Sequence, residues 1–162
     1  MNYHNITKED MLNGDGIRVV LWVSGCEHHC KNCHNPITWD KNDGLPFDKK
    51  AEEELFEALS KPHIEGITFS GGDPLAPYNK NEVMRLVKKC RNTYPSKSIW
   101  LYTGYLWEEI KDTEGILDID ILADGEFMED LKDNNLEWVG SSNQRVIDVK
   151  GTLKTGSIVL HV

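Results

Sequence analysis

The chain is predicted to be a single α/β domain built on a mainly parallel sheet of about six strands. Three observations predict it. Runs of β-branched and aromatic residues alternate with segments whose apolar residues recur every three to four positions. Each run ends in a polar or glycine-rich loop, as strands do at the ligand-facing end of a parallel sheet. The length, 162 residues, suits one ordinary domain and is too short for a closed eight-fold barrel of about 250 residues. No repeat, linker or low-complexity stretch divides residues 1–162.

A turn-rich entry, MLNGDG, spans residues 11–16 and leads into IRVVLWVS, residues 17–24. This run is continuously apolar, as a strand buried on both faces should be. Residues 48–61 read as a helix: Ala51, Leu55 and Leu59 fall on one face with Phe56 beside them, and Pro62 stops it. A second strand, residues 64–70, runs into Gly71-Gly72-Asp73-Pro74. The next helix is expected to be capped by Asn79, with Glu82 completing a capping box and Tyr78 and Val83 at the staple positions. Val83, Leu86, Val87 and Cys90 share its apolar face, which makes Cys90 a core residue and not a ligand. A third strand, residues 98–102, leads to Thr103-Gly104-Tyr105 and a short helix through Ile110. A fourth, residues 119–123, leads to Asp124-Gly125-Glu126-Phe127. WVGSSNQ, residues 138–144, reads as a loop. Two β-runs at 145–149 and 157–161, joined by the turn-like KGTLKTG, predict a C-terminal β-hairpin over 145–161.

Lys and Arg number 18 against 27 Asp and Glu, a net charge of −9. Such acidity argues against a nucleic-acid partner, whose phosphates need a basic surface. The N-terminus lacks the apolar core of a signal peptide, and no stretch reaches the ~18 consecutive apolar residues of a membrane span. A cytoplasmic protein is expected. There thiols stay reduced, and clustered cysteines bind metal more often than they pair.

The chemistry concentrates in CEHHCKNC, where Cys26, Cys30 and Cys33 are spaced C-x3-C-x2-C. Three thiolates holding an iron–sulfur cluster would leave one iron open for chemistry. The spacing serves equally well a structural Cys3His zinc site completed by His28, His29 or His34, in a zinc-binding interaction module. Gly71-Gly72, taken alone, is a tight turn between strand and helix. The combination is more telling: CEHHCKNC, SGGDP, YTGY and ADGEF all fall at the same end of one sheet.

C-x3-C-x2-C after the first strand with GGDP after the second resembles the radical S-adenosylmethionine (SAM) enzymes. The order NGDG, CEHHCKNCHN, SGGDP, WLYTGY, ILADGEF and GSSNQR resembles one subgroup over about residues 2–145. That subgroup activates the anaerobic ribonucleoside-triphosphate reductase. The resemblance implies an open, partial βα barrel of the radical SAM type. It implies a [4Fe–4S] cluster held by Cys26, Cys30 and Cys33, with SAM chelating the fourth iron. Gly71, Gly72 and Asp73 would line the methionine part of SAM; Asn32, Cys33 and His34 would run beside the adenosine; Thr103 and Asp124 would be polar contacts in the same cavity. Asn32 stands where much of the superfamily has an aromatic residue, and His34 where the subgroup commonly has tyrosine; Asp15 replaces the subgroup's usual proline. The implied reaction is one-electron cleavage of SAM to methionine and a 5′-deoxyadenosyl radical. That radical then takes a hydrogen from a glycine of the reductase's large subunit. The implied electron donor is of flavodoxin or ferredoxin type. No acid–base residue set is needed, and none is evident. A pyruvate formate-lyase activating enzyme or a deazaguanine synthase shares the superfamily motifs, but YTGY and GSSNQR weigh against both.

Overall fold

The computed structural model describes residues 1–33 and 36–162. Its elements follow in the order β1 (Asn2–Asp10), β2 (Arg18–Val23), β3 (Leu45–Pro46), α1 (Lys49–Leu59), β4 (Gly66–Gly71), α2 (Pro77–Thr93), β5 (Ser98–Tyr102), α3 (Trp107–Ile110), β6 (Ile121–Asp124), β7 (Arg145–Asp148) and α4 (Val149–Thr155). Among the described residues they build one seven-stranded sheet ordered β3-β1-β2-β4-β5-β6-β7, open at both edges.

The expected parallel sheet is its middle. β2–β4, β4–β5 and β5–β6 pair in parallel, with Val20 opposite Thr68, Phe69 opposite Leu101 and Leu101 opposite Leu122. The edges are antiparallel: β1 pairs with β2 and β3, and β7 returns against β6. β1 and β3 were not foreseen from the sequence. The physical reason is that β1 buries only Ile6 and is otherwise polar or part-exposed. Backbone pairing holds it, helped by a 2.8 Å bond from Trp22 Nε1 to Thr7 Oγ1.

The central strands are mostly apolar because both of their faces are covered. Val19, Leu21, Val23, Ile67, Phe69, Ile99 and Leu101 form the larger core with Leu55 and Leu59 of α1 and Val83, Leu86 and Val87 of α2. Burying each such side chain is worth roughly 1.5–3 kcal/mol. Cys90 lies in this core, 2% exposed, as its helical position predicted. On the opposite face Trp100, Ile121 and Val146 form a smaller cluster with Tyr102, Trp138 and Val139.

Two expectations are corrected. Asn79 does not cap α2, because Pro77 starts that helix two residues earlier in a first-turn position that needs no N–H. The buried Asn79 amide instead donates to the carbonyls of Ser24 (2.8 Å) and Asp73 (3.2 Å), fastening the cysteine loop to the Gly-Gly-Asp loop. The C-terminal turn KGTLKTG is mostly helix, not a hairpin turn. Asp148 caps α4 by accepting from Gly151 N at 3.0 Å, and Gly156 closes it at φ 76°. The chain beyond it still comes back along β7, with Asp148 N donating to Val159 O at 2.8 Å and His161 N to Val146 O at 2.7 Å.

Candidate functional site

The loop after β2 is closed at its neck by backbone bonds: Gly25 N to Thr38 O at 2.6 Å and Cys26 N to Trp39 O at 3.0 Å. Within it the chain turns sharply at His29 (φ 48°) and Asn32 (φ 56°). These left-handed turns bring Cys26, Cys30 and Cys33, all part-buried, onto one wall of a cavity of about 210 Å³. The cavity lies at the C-terminal ends of β2, β4, β5 and β6, where open α/β sheets bind ligands. Gly71, Gly72 and Asp73 form a second wall, Thr103 and Gly104 a third, and Gly125, Glu126 and Phe127 a fourth. Trp138, Val139, Gly140 and Gln144 cover it. A larger groove of about 650 Å³ between α2 and residues 112–118 contains none of the cysteines.

The two glycines have different reasons. Gly71 sits at φ 101°, which side chains resist. Gly72 is where two loops touch: a Cβ there would stand 2.3 Å from Gly25 O and 2.8 Å from Thr38 O. The space that Gly72 keeps clear is therefore occupied by the cysteine loop itself.

Asp73 is 1% exposed, and its carboxylate is fully used. It accepts from Leu75 N (2.9 Å), Thr103 Oγ1 (2.9 and 3.1 Å), Gly104 N (3.0 Å) and His28 Nε2 (2.7 Å). The other ring nitrogen of His28, Nδ1, lies 2.6 Å from Glu126 Oε1. The bond to Asp73 raises the His28 pKa to about 9 against the opposing effect of burial, and Glu126 adds to the rise. Burial pushes the Cys26 thiol up to about 11 and the Cys30 thiol up as well. Loading a metal would release those protons.

The structure thus brings together Cys26, Cys30, Cys33, Gly71, Gly72, Asp73 and Thr103. It does not bring in Asp124. That side chain is wholly buried outside the cavity lining, accepting from Trp107 N at 2.8 Å and ion-paired to Arg145 at 2.5 Å. Asn32 is exposed at its turn and stands outside the lining. His34 lies outside the described residues. Sequence reasoning missed three contributors. Glu126 was readable only as part of a strand-end loop. Gln144 ties the covering segment down, accepting from Gly140 N (3.0 Å) and Ser141 N (3.1 Å) and donating to Gly125 O (2.9 Å). Trp138 holds φ 71°, and its buried indole N–H has no partner among the described residues.

The donor set fits an iron–sulfur cluster. Three thiols from one loop face one cavity, and soft thiolates are the ligands such clusters take. Among the described residues, no three His, Cys, Asp or Glu side chains converge on a single point as the ligands of one ion would. His28 and His29 are engaged elsewhere: His28 between two carboxylates, and His29 stacked on Trp39 at 4.6 Å and 9°.

Residues 12–147 match the family model described as a 4Fe-4S single cluster domain. The chain is 45% identical over 150 residues to the anaerobic ribonucleoside-triphosphate reductase-activating protein of Escherichia coli (strain K12), covering 90% of this chain and 97% of that one. It is 44% identical over 146 residues to the protein of the same name from Enterobacteria phage T4, covering 90% and 93%. The Vibrio cholerae counterpart is 41% identical over 148 residues, covering 89% and 96%. Among the described residues no helix is long and apolar enough to cross a membrane.

Proposed function

We infer, for a chain that belongs to the family of anaerobic ribonucleoside-triphosphate reductase-activating proteins, that it generates a glycyl radical on such a reductase by reductive cleavage of SAM. The observation that carries this reading is the cavity at the strand ends, where the three thiols of one loop face the Gly-Gly-Asp loop of the next. When bound, a [4Fe–4S] cluster would supply one electron to the sulfonium of SAM.

The chain's own residues position and enclose. Cys26, Cys30 and Cys33, which line the cavity, would hold the cluster, and three thiolates would leave one iron for SAM. Gly71 and Gly72 offer backbone to the methionine part, since the Asp73 carboxylate is already spent on protein groups. Thr103 lines the cavity beside them. By family resemblance, Asn32, Cys33 and His34 run beside the adenosine. The covering segment 138–144 excludes water from a reactive species. The substrate is a glycine-bearing polypeptide loop of the reductase, and the electron donor is a flavodoxin- or ferredoxin-type protein.

Anaerobic reconstitution, reduction and incubation with SAM and the reductase test this reading. A glycyl-radical signal in paramagnetic resonance, with 5′-deoxyadenosine by chromatography, is the expected result. Turnover of a free small molecule without any reductase would overturn it.

A further inference from the structure

We propose that His28 is a positioning residue that sets the cysteine loop against the SAM-facing loop, acting through Asp73. The inference rests on the reading of Cys26, Cys30 and Cys33 as cluster ligands. His28 lies midway in sequence between Cys26 and Cys30, and its ring joins every other wall of the cavity. Nε2 is 2.7 Å from Asp73 Oδ2 in the loop after β4, and Nδ1 is 2.6 Å from Glu126 Oε1 in the loop after β6. The ring meets Tyr105, in the loop after β5, edge-on at 4.7 Å and 71°. It also fills the space beside Gly104, where a Cβ would stand 2.6 Å from His28 Cδ2.

The two histidines of CEHHC are thus unlike. His29 is exposed and stacks on Trp39 within its own loop. The His28 side chain is 10% exposed, and every contact named above leaves its loop. Asp73 completes the argument. Its carboxylate is taken by Thr103, Gly104, Leu75 and His28, so the Gly-Gly-Asp loop presents backbone to the cavity while its acidic side chain anchors the thiol loop. Outer partners that orient metal ligands typically matter by 10–100-fold in affinity or activity. His28 orients two ligands at once, together with the loop that would carry SAM.

The test compares wild type with His28→Phe, which keeps a ring beside Tyr105, and His28→Gln, which keeps polar reach toward Asp73. All are full-length chains reconstituted anaerobically. Iron per chain, paramagnetic resonance of the reduced cluster with and without SAM, SAM affinity by equilibrium dialysis, and melting of the cluster-free protein are measured. His28→Phe is expected to take up iron and to melt within a few degrees of wild type. It should bind SAM at least tenfold more weakly and lose the spectral change that SAM induces. His28→Gln should recover part of both. An unchanged SAM-induced spectrum and affinity in His28→Phe would overturn the proposal. So would equal losses in both variants that track a fall in melting temperature, since that marks packing alone. Failure of the wild-type chain to take up iron would instead remove the cluster reading beneath it.

Discussion

At the N-terminal ends of the parallel strands, Arg18 is fully buried yet uses all five of its N–H groups. They go to Thr68 Oγ1, the Asp15 carbonyl, Ser98 Oγ, and the carbonyls of Ile67 and Ser98, at 2.8–3.0 Å. The guanidinium also lies over the Trp100 ring at 5.5 Å. At the C-terminal ends of the same strands the accounts stay open. Burial pushes the Cys26 and Cys30 thiols up, and among the described residues the buried indole N–H groups of Trp39 and Trp138 have no partner. The Arg18 guanidinium is satisfied within the chain, while the other end keeps two unpartnered indole donors among the described residues and three thiols around a cavity. Stability and chemistry have been given to opposite ends of the same strands. Substitutions at the two ends should therefore fail in different ways.

The largest expected effect is at the open end. Cys26→Ala, Cys30→Ala or Cys33→Ala should abolish radical formation on the reductase while the cluster-free protein melts within about 2 °C of wild type; a large loss of stability in these variants would break the division. At the finished end, Arg18→Ala should cost about 3 kcal/mol in urea unfolding of the cluster-free protein, because it strands buried acceptors and opens a cavity. Iron uptake by the folded fraction should be normal. Gly72→Ala probes the junction between two loops of the open end. Pushing the Gly25 carbonyl away should weaken SAM binding about tenfold, or ~1.4 kcal/mol, as read by equilibrium dialysis.

A smaller effect is expected at Asp120, just before β6. Burial alone would raise its carboxyl, but Lys150, the Ile99 N–H and Arg91 outweigh it and hold the pKa below the ordinary value. A depressed folded pKa contributes stability above the unfolded value of about 3.9, and that contribution fades as pH falls through the folded value. Asp120→Asn should cost about 1–2 kcal/mol at pH 7, and the gap to wild type should narrow below about pH 4. A gap that is the same at pH 7 and pH 3.5 would refute this account. Cys90→Ala should be mildest, about 1 kcal/mol with full iron content. Its thiol is buried among apolar side chains and pushed up to about 12 by that burial. Iron loss equal to that of Cys33→Ala would instead make Cys90 a ligand.

The two ends also differed in how legible they were in the sequence. β2, β4, β5 and the two long helices could be read because burial imposes a period on the residues that make them. β1 could not: only Ile6 of its nine residues is buried, and its pairing leaves no apolar pattern. α4 was misread because Gly151 and Thr152 look turn-like, although Asp148 and Gly156 carried the capping signal. Asn79 looked like a cap because a capping box and a loop-fastening amide use the same residue type. That the cysteines and the two glycines line one cavity was legible from spacing and strand order. The bridge from Asp73 through His28 to Glu126 was not, since it joins three loops up to 98 positions apart. Asp124 was misplaced for the same reason: nothing local tells a carboxylate at a strand end that an arginine 21 positions on will claim it.

The larger apolar core lies among the strands, α1 and α2, and Cys26, Cys30 and Cys33 do not belong to it. The neck of their loop is fastened by main-chain bonds that involve no sulfur. Folding of this chain is therefore not bought with metal, as it is in a zinc finger. An oxygen-sensitive cofactor on such a body can be lost without loss of the body. Exposure to air should strip the protein to a folded, refillable vessel, and the recovery of iron after aerobic bleaching and renewed reconstitution measures how completely it can be repaired.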